Sequence, residues 1–177
     1  AERGTMVFLR VRIMIGGASW PPAMIPSSVG SLDMTNNTVT NTGIAKFAVT
    51  TGATTGISSL INSSLGIDGV SVASGASLTA GDVRNEIGAS ILNNGTINGA
   101  VSSFGGVTNN GKINGTLMLG DGTLSGTGNL SGLNILHGTV LAASEQTIAG
   151  DTTQFGGSVL GSIIGPGAGQ YLMAGGS

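Results

Sequence analysis

Cysteine is absent from the 177 residues, so the chain has no disulfide framework and no thiolate metal site. Charge is scarce: Asp, Glu, Lys and Arg together make up only 8% of the chain, with a net charge of −2. Six basic residues cannot line a phosphate-facing stripe, which argues against nucleic acid as a partner. Charge repulsion is equally unable to keep the chain disordered, because 40% of it is hydrophobic. Aromatic residues account for 3%, and the single histidine is His137. No run of 18 apolar residues is present, so no transmembrane helix is expected. An apolar stretch at 6–15 is interrupted by Arg10 and Arg12, which argues against a signal-peptide core.

The chain is instead rich in Gly, Ser, Thr and Asn, which together make up nearly half of it. These residues are mediocre to poor in helix interiors, and the Glu, Lys and Arg surface of a helix bundle is missing. Glycine follows no three-residue period, so a collagen-like helix is excluded.

Composition changes near residue 34. Met6, Met14, Met24 and Met34, Pro21, Pro22 and Pro26, and the only tryptophan, Trp20, all precede Thr35, and no asparagine does. We read 1–34 as an N-terminal leader or cap with a Pro-rich connection, and 35–177 as a solenoid body ending in the Gly-rich tail Gly165–Gly169. Residues 7–15 alternate, with Val7, Leu9, Val11, Ile13 and Ile15 on one face, which predicts one strand able to cap an exposed sheet end or to join a neighbour.

The strongest signal is an internal repeat. Asn93-Asn94-Gly95-Thr96-Ile97-Asn98-Gly99 recurs as Asn109-Asn110-Gly111-Lys112-Ile113-Asn114-Gly115, at an offset of 16 and with one difference. A weaker copy, Gly126–Gly132, follows after 17, and Ile148-Ala149-Gly150 after a further 18. The apolar position thus runs Ile97, Ile113, Leu130, Ile148, and the glycine after it Gly99, Gly115, Gly132, Gly150, with Gly81 as a weaker upstream match. A unit this short cannot hold two helices, but it suits one coil of short strands and tight corners. The predicted fold is all-β: a parallel β-helix (β-solenoid), single-stranded, with an N-terminal capping strand. Gly and Asn would supply left-handed corners. In-register Asn, Thr and Ser would form hydrogen-bonded ladders, and aliphatics would stack in a narrow core. The alternative is a β-sandwich or jelly roll in which each Asn-Gly closes a hairpin.

Gly111–Leu117, Leu124–Gly132 and His137–Ala142 resemble the passenger repeats of autotransporter adhesins, in which a G-x-L-x-G-x-G-x-L stretch followed by G-G-T-L-x-P-G marks coils of a right-handed parallel β-helix. The resemblance covers roughly 68–150. The family's Pro-Gly is replaced here by Ala143-Ser144, and 1–34 do not match. The resemblance implies a surface-displayed or secreted stalk used in adhesion or biofilm contact, attached to the outer membrane through a barrel domain missing from this sequence.

The search for chemistry yields no catalytic, cofactor-binding or metal-ligating residues. His137 has no carboxylate near it in sequence and reads as a surface or turn residue. Polysaccharide-cleaving β-helices need clustered carboxylates. Asp68, Asp82 and Glu86 could stack only loosely, and Asp121 has no acidic counterpart one coil away. Gly120-Asp121-Gly122 reads as a turn, and Ser131 breaks the phosphate-loop pattern that begins at Gly126. The sequons at Asn36, Asn62, Asn94, Asn114 and Asn129 follow from composition. The dispersed Phe8, Phe47, Phe104, Phe155, Trp20 and Tyr171 read as core or end residues.

The expectation is a non-enzymatic, extracellular or cell-surface stalk or scaffold module of adhesin type, contacting host surfaces or glycans or associating with itself, without nucleic acid or small-molecule cofactor. The alternatives are a structural subunit of a fibre, phage appendage or capsid decoration, and a polysaccharide-acting enzyme.

Overall fold

A computed structural model describes residues 32–141, 143–165 and 169–177, together with the short segments 8–11, 14–15, 18–19, 23–26 and 28–29; side chains are described from Thr38 onward. The described chain is all-β without helix, and its parallel strands stack into a β-solenoid of about seven turns.

Each coil has three sides. The first is a short strand: Phe47–Val49, Val70–Val72, Ser90–Asn93, Gly106–Asn109, Thr123–Ser125 and Thr139–Val140 lie in order in one seven-stranded parallel sheet that starts at Ser28–Val29. The second and third sides form one long strand in the early coils, as in Leu32–Asn41, Thr54–Asn62, Ser77–Asn85 and Thr96–Ser103. In later coils the strand divides, for example into Lys112–Ile113 and Leu117–Leu119, then Asn129–Leu130 and Asn134–Leu136. The compositional change near residue 34 falls inside Leu32–Asn41, which is already paired in parallel with Thr54–Asn62.

The repeat register is realised residue by residue. Ile97 lies beside Ile113, Ile113 beside Leu130, and Leu130 beside Ile148, all in parallel. All four are buried, and with Leu78, Leu117, Leu119, Leu124 and Leu136 they form one continuous aliphatic column. A column of this kind suits branched aliphatics, since each coil advances only about 4.8 Å and a large ring would overrun its neighbour. Phe47 is the one described phenylalanine that is buried in it. Ile113→Val removes one methylene from a fully enclosed site and is expected to cost about 1 kcal/mol, measurable by urea denaturation.

The hairpin sandwich does not occur. Asn94-Gly95 and Asn110-Gly111 turn the chain from one side of a coil to the next, and the strands they join run parallel to their neighbours in adjacent coils. Left-handed glycines occur at corners as expected, at Gly43, Gly52, Gly75, Gly88 and Gly157, but no described asparagine is left-handed and most glycines of the repeat are not. Among the described glycines in the repeat, Gly99 and Gly126 have left-handed φ, but Gly95, Gly111, Gly115 and Gly132 do not. Close approach is what requires glycine there: a Cβ on Gly115 would overlap the Gly99 carbonyl oxygen, one on Gly132 that of Gly115, and one on Gly150 that of Gly132. Gly81 is displaced from this column by a register shift between Thr79 and Asp82, and Ala80 takes the place beneath Gly99.

At the N-terminal end, Met14–Ile15 pairs antiparallel with Ala18–Ser19 and meets the edge of Leu32–Asn41 at Thr38, so it caps the stack. The single strand expected over 7–15 is therefore two segments with different partners, since Phe8–Val11 pairs with Ala23–Pro26. Val7, Arg12, Ile13, Trp20, Pro21 and Pro22 lie outside the described residues.

Candidate functional site

Three longitudinal edges separate the sides. The return edge, where the third side hands over to the first side of the next coil, is built around a buried amide ladder. Asn41, Asn62, Asn85 and Ser103 occupy the last inward position of the third side on four successive coils, all fully buried. Asn41 Nδ2 donates to Asn62 Oδ1 at 2.9 Å, Asn62 Nδ2 to Asn85 Oδ1 at 2.7 Å, and Asn85 Nδ2 to Ser103 Oγ at 3.0 Å. The same nitrogens donate to corner carbonyls: Asn41 to Gly69 (2.7 Å), Asn62 to Ser90 (3.0 Å) and Asn85 to Ala89 (3.2 Å). The buried amide nitrogens find their partners by tying each corner to the next coil, whereas Asn41 Oδ1, on the first rung, is buried without a partner among the described residues.

A second inner ladder lies where the first side ends. Asn93 Nδ2 donates to Asn109 Oδ1 at 2.8 Å. Asn109 Nδ2 then reaches past a coil to Gln146 Oε1 at 3.0 Å, and Gln146 Nε2 donates to the Gly126 carbonyl at 2.7 Å. Sequence reasoning anticipated ladders at the repeated asparagines, but it missed Gln146, whose longer side chain spans the intervening coil.

The outer surface of the second side is polar and in register. Ser77, Thr96, Lys112, Asn129 and Thr147 follow one another on adjacent strands. They are flanked by Asn98 and Asn114, where Asn114 Nδ2 donates to Asn98 Oδ1 at 2.9 Å, and by Asn94 and Asn110, where Asn110 Nδ2 donates to Asn94 Oδ1 at 2.9 Å. These outer amides are exposed, so water can replace either partner. Asn114→Ser is expected to change stability by no more than about 0.5 kcal/mol in a urea titration.

The ionisable groups are dispersed. Asp82 accepts from Ser59 Oγ at 3.0 Å, Asp68 faces Lys46 at 3.8 Å, and Glu86 accepts from Arg84 Nε at 2.6 Å. Asp82 lies between Ser59 and Ala100 in its column rather than between carboxylates, because the coil from Ser59 to Asp82 is longer than the coil from Asp82 to Ala100 and no acidic residue falls in register. Asp121 stands in the Gly120–Gly122 turn of the return edge. His137 is exposed on that edge, stacked on Phe155 of the next coil with centroids 5.3 Å apart. Phe104 also lies on the return edge, under the Arg84 guanidinium at 5.9 Å and against Gly120. Partial burial raises the pKa of Tyr171, which donates to Gln154 Oε1. Among the described residues no group of three His, Asp or Glu could hold a metal ion.

Comparison with models of protein families, with curated proteins and with solved structures finds no match.

Proposed function

We propose that this chain is a non-enzymatic stalk or scaffold module, displayed outside a bacterial cell, that makes many weak polar contacts along its length with a host surface or glycan. The observation that carries the reading is the outer second side, where hydroxyls and an amide, with Lys112 among them, recur in register from Ser77 to Thr147. Repetition of one weak contact per coil is how a surface without pockets of concentrated chemistry gains avidity. The low charge and the resemblance of 68–150 to autotransporter adhesin repeats point the same way. The separate placement of Asp68, Asp82 and Asp121 favours display over glycosidic cleavage, which needs two carboxylates across one bond.

The test immobilises the purified chain and measures retention of epithelial cells and of neutral and acidic oligosaccharides. Saturable binding that falls when Asn98, Lys112 and Asn114 are replaced together by Ala is the expected result. Absence of saturable binding, or binding indifferent to that triple change, overturns the proposal.

An assembly subunit of a fibre or phage appendage is the second reading, favoured by the exposed Ile44, Leu65, Ile67 and Ile87 in the corner loops of the return edge.

A further inference from the structure

The return edge is apolar over its first three described coils. Its corner loops present Ile44, Leu65, Ile67 and Ile87, with 86%, 70%, 90% and 81% of their surface exposed, and Phe155 follows at the other end. Outside the last coil, only Leu133 and Leu141 among the described large apolar residues are comparably exposed elsewhere. The loops stack on one another: a Cβ on Gly66 would sit 2.6 Å from the Ile44 carbonyl oxygen, and one on Gly88 would be 3.2 Å from Leu65 Cδ2. They are also held from within, since Asn41 donates to the Ala45 and Gly69 carbonyls and Asn85 to that of Ala89. An exposed, ordered row of aliphatics on an otherwise Asn-, Thr- and Gly-rich surface marks an interaction surface.

The charges along the edge specify the occupant. In coil order the edge carries Ile44 and Lys46, then Leu65, Ile67 and Asp68, then Arg84, Glu86 and Ile87, then Phe104, Asp121, His137 and Phe155. We propose that the occupant is a second copy of this chain, laid antiparallel against the edge about a two-fold axis at Phe104. This arrangement sets Ile44 against Phe155 of the other copy and Leu65 and Ile67 beside its His137. Asp121, which has no charged partner among the described residues of its own chain, meets Arg84 of the other copy, and Asp68 meets its His137. Arg84 is already paired with its own Glu86, so in the two-fold contact its guanidinium is shared between Glu86 and the Asp121 of the other copy, and neither carboxylate is left without a cation beside it. A parallel copy would face Asp121 with Asp121. An isologous contact of this kind also closes on itself, giving a dimer rather than an open filament. The strip is roughly 30 Å long at a rise of about 4.8 Å per coil and only one corner wide. It falls short of the ~800 Å² per partner of a standard interface, so the dimer is reversible and concentration-dependent.

The test needs no ligand, so its failure leaves the proposed adhesive role standing and is distinguishable from failure of that role. Sedimentation velocity over a concentration series is expected to show a monomer–dimer equilibrium, weakened about ten-fold or more by Ile67→Ser with Ile87→Ser. Asp121→Arg and Arg84→Glu should each weaken it, and the double exchange should restore it. Because the chain has no cysteine, Phe104→Cys should give a disulfide-linked dimer on mild oxidation much faster than Asn114→Cys on the second side. Circular dichroism identical to the parent confirms that each variant is folded. A parent that stays monomeric throughout, a dimer indifferent to the Ile changes, or equal cross-linking at residues 104 and 114 overturns the proposal. Adsorption to phosphatidylcholine vesicles by a parent that stays monomeric would overturn it in favour of a lipid surface.

Discussion

Gly115→Ala is expected to destabilise the fold by about 4 kcal/mol or more, in the upper tail of single-substitution effects. The added methyl carbon would overlap the carbonyl carbon and oxygen of Gly99, which are main-chain atoms with no rotamer through which to retreat. Relief would require two coils to separate, and separation would break the parallel pairing that runs through Ile97 and Ile113 and through Val101 and Leu117. Gly106→Ala is the matched control. A Cβ there meets only Thr123 Oγ1 at 3.7 Å, an ordinary contact, and the backbone has no left-handed φ. That change is expected to be neutral or to stabilise by about 0.5 kcal/mol, through the unfolded chain. Urea unfolding of both variants checks the pair: a Gly115→Ala protein within about 1 kcal/mol of its parent, or one no worse than Gly106→Ala, contradicts the steric account.

The second large effect is expected at Asn62, where Asn62→Ala should cost about 3 kcal/mol. The side chain is fully buried and accepts from Asn41 Nδ2 and from the Ser64 amide while it donates to Asn85 Oδ1 and to the Ser90 carbonyl. Alanine removes all four bonds at once and brings no water with it. Asn85 Oδ1 and the Ser64 amide would each then be left to find a partner in a closed interior, at about 1–3 kcal/mol apiece when none exists. The contrast with the exposed Asn114, which also sits in an amide ladder, isolates burial as the cause. Thermal denaturation of Asn62→Ala and Asn114→Ser separates the two, and equal losses would contradict the argument.

How much was legible differs along the chain. Between Asn93 and Gly150 the unit length hardly varies, so identical side chains recur at identical places and the neighbours of Ile97, Ile113, Leu130 and Ile148 could be read directly. Upstream, the coil from Thr55 to Leu78 is longer than the one from Leu78 to Ile97, and both are longer than the repeat from Ile97 to Ile113. The extra residues fall partly in the corner at 63–69. No period survives such insertions, which is why Gly81 was placed one position out of its column. The polar second side was legible as a composition of Asn, Thr and Ser, but its position was not. Whether Asn93 or Asn94 points inward is decided by the side of the strand on which each falls at a corner, and the two differ: Asn93 is buried and Asn94 reaches outward to Asn110.

By itself, then, the sequence determined that short backbone coils of nearly constant length pile in parallel, because only such stacking brings identical heptapeptides, glycines included, over one another. Tertiary structure alone decided the three-sided cross-section, the division of asparagines between core and surface, and the apolar return edge. Ile44, Leu65, Ile67 and Ile87 are indistinguishable from core aliphatics in composition. They face solvent because the buried amides of Asn41, Asn62 and Asn85 take the corner's interior and hold those loops outward, a consequence of neighbours on adjacent coils rather than of anything local in the chain.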